Sequence, residues 1–206
     1  MLVRATTTHA EPERIDEGIA FVRDHVVPVV DGLPGSLGLS MLVDRDTGMV
    51  TVTTAWETTQ ARRDSYGALE AVRAQTTAAL GGAVPATELL ELAVLDRGRL
   101  AEPGFWSRTT RVRIDPHRVD SAIDAYSAST RHDLQLLDGY CSAVLLVDRV
   151  TGFGAVSVTF DSRAALEASR APAATLRETG SAKAGAEVTE VRESEIVLAG
   201  IRMPVG

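Results

Sequence analysis

The chain is written twice. Leu42-Val43-Asp44-Arg45-Asp46-Thr47-Gly48 returns as Leu146-Val147-Asp148-Arg149-Val150-Thr151-Gly152, an offset of 104 residues. The same offset, without a gap, pairs Arg4 with Arg108, Thr6 with Thr110, Pro12 with Pro116, Ile19 with Ile123, Gly35 with Gly139 and Trp56 with Phe160. Near the end of each copy it falls to 102, matching Thr87-Glu88 to Thr189-Glu190, a two-residue deletion in a loop or helix end. One register held over most of a copy is the mark of a duplication. The reading that follows is a first repeat over 1–98 and a second over 105–206. The join, Arg97 to Gly104, is short, and reads as a tether between packed halves.

Each copy carries the same element signals. Leu2 to Thr8 and Trp106 to Ile114 alternate and are rich in β-branched residues, so both read as strands. Glu11-Pro12 and Asp115-Pro116 then start a helix, an acidic cap followed by proline. Ile15, Ile19, Val22, Val26 and Val30 form one apolar helical stripe; the copy has Val119, Ile123, Tyr126, Thr130 and Leu134. A hairpin follows, Leu37 to Arg45 and Met49 to Trp56, repeated as Cys141 to Arg149 and Phe153 to Phe160. Thr58 and Ser162 read as caps of a second helix, running to about Leu80 and Arg177. Strands Glu88 to Leu95 and Val188 to Leu198 close the copies. The order is βαββαβ, a ferredoxin-like unit.

One such unit puts both helices on one face of its sheet, so the other face needs a cover. A second copy on the same chain supplies it. The expected fold is therefore α+β: tandem ferredoxin-like βαββαβ units packing sheet to sheet as an intramolecular dimeric α+β barrel. The alternative, two independent units, is opposed by the short tether. Composition agrees with a packed protein, 45% hydrophobic and 24% charged. The net charge of −7 leaves neither half a basic surplus, which argues against nucleic acid as a partner. No apolar run approaches the length of a membrane span, and Met1 to Ala10 lacks the layout of a signal peptide. With a single cysteine, Cys141, a reducing cytoplasm is the expected compartment.

A repeat length near 100 residues, and a tryptophan closing the third strand before the second helix (Trp56-Glu57-Thr58), resemble the antibiotic biosynthesis monooxygenase superfamily. The resemblance covers the whole chain as two tandem copies. It implies a cavity between each unit's sheet and its helices. It also implies an activity among those of the family, such as cofactor-independent oxygenation of aromatic polyketides or haem degradation. The oxygenases hold an electron-rich phenol with an Asn, a Trp, a Tyr and an Arg, so that the substrate anion itself reduces oxygen. Carried onto this chain, the resemblance makes Trp56 a stacking residue, Tyr66 the phenol that hydrogen-bonds the substrate, and Arg62 or Arg63 the charge that stabilises its anion. The chain contains no Asn, and Thr6 is the nearest polar substitute on the first strand. Neither second helix carries a His, which disfavours haem degradation. In the second copy the matching positions are Phe160 and Arg170, beside which Tyr126 offers a further ligand contact.

The residues also read without chemistry: Trp56 as core, Tyr66 as a half-exposed helical residue, Asp44-Arg45 and Asp148-Arg149 as hairpin turns. His9, His25, His117 and His132 lack metal-ligand spacing, so no metal is expected, and the resemblance to cofactor-independent oxygenases implies no other cofactor. Two functions stay open at this point. One is a cofactor-independent, monooxygenase-like protein that binds or oxidises a small aromatic molecule, its site more naturally in the first copy. The other is a non-catalytic binding or scaffold module of the same fold. A homodimer of the internal pseudo-dimer is a further possibility.

Overall fold

The computed structural model describes residues 1–82 and 85–202; residues 203–206, the last of the second repeat, lie outside them. The first copy runs β1 (Leu2–His9), a 3-10 turn, α1 (Ile15–Phe21), a π-helical segment (Val22–Val26), α2 (Val27–Asp31), β2 (Ser36–Asp44), β3 (Met49–Trp56), α3 (Thr59–Ala79) and β4 (Ala86–Arg97). The second runs β5 (Trp106–Arg113), a 3-10 turn, α4 (Val119–Ala125), a π-helical segment (Tyr126–Thr130), α5 (Arg131–Leu134), β6 (Tyr140–Asp148), β7 (Phe153–Phe160), α6 (Arg163–Ala168), α7 (Arg170–Ala184) and β8 (Glu187–Ala199). The strands hydrogen-bond in the order β1-β3-β2-β8-β5-β7-β6-β4 and close into an eight-stranded antiparallel barrel. The chain forms two compact units, residues 1–90 with 196–206, and residues 91–195, so the boundaries fall inside β4 and β8.

Local chemistry accounts for the elements. Thr58 and Ser162 accept hydrogen bonds from the Ala61 and Ala165 amides and start the second helix of each copy. Asp115 caps the His117 amide, whereas the longer side chain of Glu11 makes no cap bond. In both hairpins the first aspartate builds the turn. Asp44 accepts from the Asp46 and Thr47 amides and the Thr47 hydroxyl, and Asp148 does the same for Val150 and Thr151. Gly48 and Gly152 then take φ of +72° and +71°. The repeated Leu-Val-Asp-Arg motif is thus turn architecture.

Several boundaries differ from the sequence expectation. Helix α7 extends to Ala184, and it is separated from α6 at Ser169. Pro172 lacks an amide proton and its ring crowds the carbonyl four residues earlier, which breaks the helix there. The closing strands are longer than expected, reaching Arg97 and Ala199.

Each unit has its own core between sheet and helices. In the first, Ile15, Val22, Val26 and Val30 pack on Met41, Val43, Val50 and Trp56, with Leu69 and Leu80 from the second helix. In the second, Val119, Ala122, Tyr126 and Leu134 pack on Leu145, Val147, Val158 and Phe160.

Candidate functional site

The same interior position in the two units is filled differently. In the first, Leu80 is fully buried and seats against Gly18; a Cβ on Gly18 would lie 2.1 Å from Leu80 Cδ2. At the offset of 104 the pair becomes Ala122 and Ala184. Two further positions shrink with it, Leu69 to Ala173 and Thr76 to Gly180. The lost side-chain volume appears as space. A cavity of about 100 Å³ lies between sheet and helices of the second unit, and one of about 50 Å³ in the first. Both are below the ~300 Å³ of a drug-sized site. An apolar cavity of about 150 Å³ takes benzene, so the second unit's smaller space admits at most a single ring, and only as its walls give, not a polycyclic ligand.

The walls of the larger cavity are apolar, with Val112, Ile123, Leu145, Val156, Phe160 and Leu176 among them. Its polar lining consists of Arg108, Thr110, Tyr126, Thr130, Arg177 and Ser181, and includes no carboxylate and no imidazole. Tyr126 opens the π-helical segment that follows α4 and is 7% exposed. Its hydroxyl is the one fully buried side-chain polar atom among the described residues without a hydrogen-bond partner. A buried hydroxyl left in that state is costly, and such an atom calls for an explanation. Burial, reinforced by the negative charge of Asp96, pushes the Tyr126 phenol well above its usual range, so it stays protonated. Asp96 itself accepts from Tyr140 Oη and Gln135 Nε2, each at 2.6 Å. Burial pushes that carboxyl upward, but these bonds and the charge of Arg131 outweigh it and hold Asp96 below its ordinary value.

Arg108 is 4% exposed, and each of its three guanidinium nitrogens donates a hydrogen bond. It donates to Ser169 Oγ at 2.8 Å, to the Leu166 carbonyl at 2.7 Å and to Glu193 Oε1 at 2.8 Å. Arg170 binds the other oxygen, Glu193 Oε2, at 2.7 Å. The first unit repeats the neutral part: Arg4 donates to Ser65 Oγ at 3.1 Å and to the Arg62 carbonyl at 2.7 Å.

The residues singled out from sequence are distributed over both units. Thr6 lines the smaller cavity; Tyr126 and Phe160 line the larger. Trp56 is fully buried in the first core with its indole N–H on Thr54 Oγ1 at 3.2 Å, and lines neither cavity. Tyr66 is 58% exposed under the guanidinium of Arg73, 4.5 Å from its ring centroid. Arg62 donates from Nη1 to the Val3 and Leu90 carbonyls, each at 3.4 Å, and Arg63 is exposed. Neither arginine lines either of these two cavities. Sequence reasoning passed over Arg4 and Arg108, although a charged residue recurring at one position of an alternating strand was the available signal.

No protein-family model matches the chain. It is similar to the Mycobacterium tuberculosis protein Rv2557, 40% identical over 201 residues, which span 98% of this chain and 89% of that protein. It is also similar to Rv2558 of the same organism, 37% identical over 202 residues, spanning 98% and 85%. Among solved structures, an anthrone oxidase-like protein superposes with a TM-score of 0.71 at 17% identity, over 100% of this chain and 96% of that one. A ferredoxin-fold protein related to antibiotic biosynthesis monooxygenases, from Listeria monocytogenes, does so with a TM-score of 0.55 at 9% identity, over 95% and 94%. The fold is that of the monooxygenase-like dimeric α+β barrels. Among the described residues no helix is long and apolar enough to cross a membrane.

Proposed function

We propose the following reading for this chain, which belongs to the family of the Mycobacterium tuberculosis proteins Rv2557 and Rv2558: it is a monooxygenase-like protein whose second unit binds a small aromatic molecule carrying one hydrogen-bonding oxygen. The observation that carries the reading is a largely apolar cavity lined in part by Tyr126, whose buried, protonated hydroxyl has no hydrogen-bond partner. A ring fills the apolar space, and its phenolic or carbonyl oxygen accepts a hydrogen bond from the Tyr126 hydroxyl. The monooxygenase-like fold supports the substrate class, since an oxygen held as an anion by a protonated donor is what cofactor-independent oxidation of a phenol requires. The lining holds donors and no proton acceptor stronger than a hydroxyl. Binding is therefore the function this geometry supports first, and any oxidation draws on the ligand's own acidity.

The test compares p-cresol with toluene by titration calorimetry. The wild-type protein is expected to bind p-cresol more tightly than toluene. Tyr126→Phe is expected to weaken p-cresol by about fivefold to tenfold, the worth of one neutral hydrogen bond of ~1–1.5 kcal/mol, and to leave toluene unchanged. Equal loss for both ligands, or no binding of either by the wild type, overturns the reading.

A further inference from the structure

The two units solve the same electrostatic problem in different ways. In the second, two cations, Arg108 and Arg170, close on the two oxygens of one carboxylate, Glu193. In the first, Arg4 sits at the position of Arg108, equally buried at 4% exposure, with the same serine and carbonyl partners. No carboxylate among the described residues reaches it, and the charges that act on it besides Tyr66 are two further cations, Arg73 and Arg62. Position 170 is Tyr66 in the first unit, and its ring carries Arg73 at 4.5 Å and Arg4 at 5.9 Å. Two guanidinium groups thus share one aromatic ring with no anion between them.

Burial and the repulsion of its neighbours lower the Arg4 guanidinium to about 10. A buried cation in this state destabilises the fold, and a hydrophobic residue of similar size would be neutral or better. Arg4 and Arg73 also line the 50 Å³ cavity, whose remaining wall is made of threonines, of valines such as Val26, Val30 and Val52, and of Leu69, Leu80 and Pro85. The lining therefore combines two cationic side chains with a largely apolar surface.

We propose that the first unit binds a small organic carboxylate, its oxygens on Arg4 and Arg73 and its carbon chain against the valines, in the role that Glu193 plays on Arg108 and Arg170. Bidentate guanidinium–carboxylate pairing sets the ligand class. The site is independent of the aromatic-binding reading of the second unit.

The probe is sodium propionate, with propionamide as the neutral isostere, followed by NMR titration at ionic strength matched with chloride. Saturable binding of propionate is expected, at least tenfold tighter than propionamide. Arg4→Met is expected to abolish it and to raise the melting temperature of the unliganded protein. Arg73 is half-exposed, so Arg73→Gln keeps the fold and decides the matter if Arg4→Met does not fold; it is expected to weaken propionate at least threefold. Tyr126→Phe is expected to leave propionate binding unchanged, so the two sites fail or stand separately. Propionate binding no tighter than propionamide, or unaffected by Arg73→Gln, overturns the proposal.

Discussion

Glu193→Gln will destabilise the protein by about 2 kcal/mol at neutral pH. The variant removes the negative charge that both arginines face: Arg108 stays buried as a cation with only neutral acceptors such as Ser169 Oγ and the Leu166 carbonyl, and Arg170 keeps only Glu167, at 3.7 Å. Breaking a fully buried pair costs about 3–5 kcal/mol. The value here is lower because the Glu193 side chain keeps 23% of its surface exposed and water screens it. The effect depends on pH in a defined direction. Burial pushes the Glu193 carboxyl upward, but the hydrogen bonds and charges of Arg170 and Arg108 outweigh it and hold it below its ordinary 4.5. A carboxylate lowered in the folded state contributes stability above its unfolded value, and that contribution is lost as pH falls through the folded value. The gap between wild type and Glu193→Gln is therefore full at pH 7 and closes in acid below 4.5. Urea unfolding at pH 7 and at successively lower pH measures it. A variant as stable as wild type at pH 7, or a gap that widens in acid, contradicts this account of Arg108.

The second large effect is a transfer of the cavity from one unit to the other. Ala184→Leu alone reproduces the clash that Gly18 avoids in the first unit, because Ala122 carries the Cβ that Leu80 could not tolerate. Overpacking of this kind costs about 1–3 kcal/mol. The pair Ala122→Gly with Ala184→Leu restores the first unit's packing, recovers most of that loss and fills the space, so p-cresol binding is abolished. The reciprocal pair, Gly18→Ala with Leu80→Ala, enlarges the first unit's cavity, with Gly18→Ala alone the more destabilised of the two. Thermal unfolding and the p-cresol titration read both outcomes. Retained binding in the filled variant places the ligand elsewhere.

These residues show how far a sequence of this kind can be read. The βαββαβ order was legible because the repeat offers each signal twice: the apolar stripe from Ile15 to Val30, the capping Thr58 and Ser162, and the aspartate-built hairpins each have a copy. The break at Ser169 was legible in Pro172 but went unread, and the extension of α7 to Ala184 is marked only by a stripe of mostly small residues, Ala173, Leu176, Gly180 and Ala184. The site was less legible. Tyr66 lies ten residues beyond Trp56, but the buried face of α3 is set by Ser65 and Leu69, four apart. At 3.6 residues per turn Tyr66 falls about 100° away from Ser65, toward solvent. Which unit holds the larger space depends on Leu69, Thr76 and Leu80 against Ala173, Gly180 and Ala184. Those differences are written in the repeat, yet only the packing shows that they face one interior. The partner of Arg108 was hidden for a related reason: Glu193 sits on the neighbouring strand β8, 85 residues away, and cross-strand pairing is invisible until the register is known.

The most direct test of the central claim is a crystal structure of the protein grown with p-cresol. The account predicts a ring beside Phe160 in the second unit, with its oxygen within hydrogen-bond distance of the Tyr126 hydroxyl. A ring bound in the first unit, or a second-unit cavity that stays empty at saturating p-cresol, would contradict it.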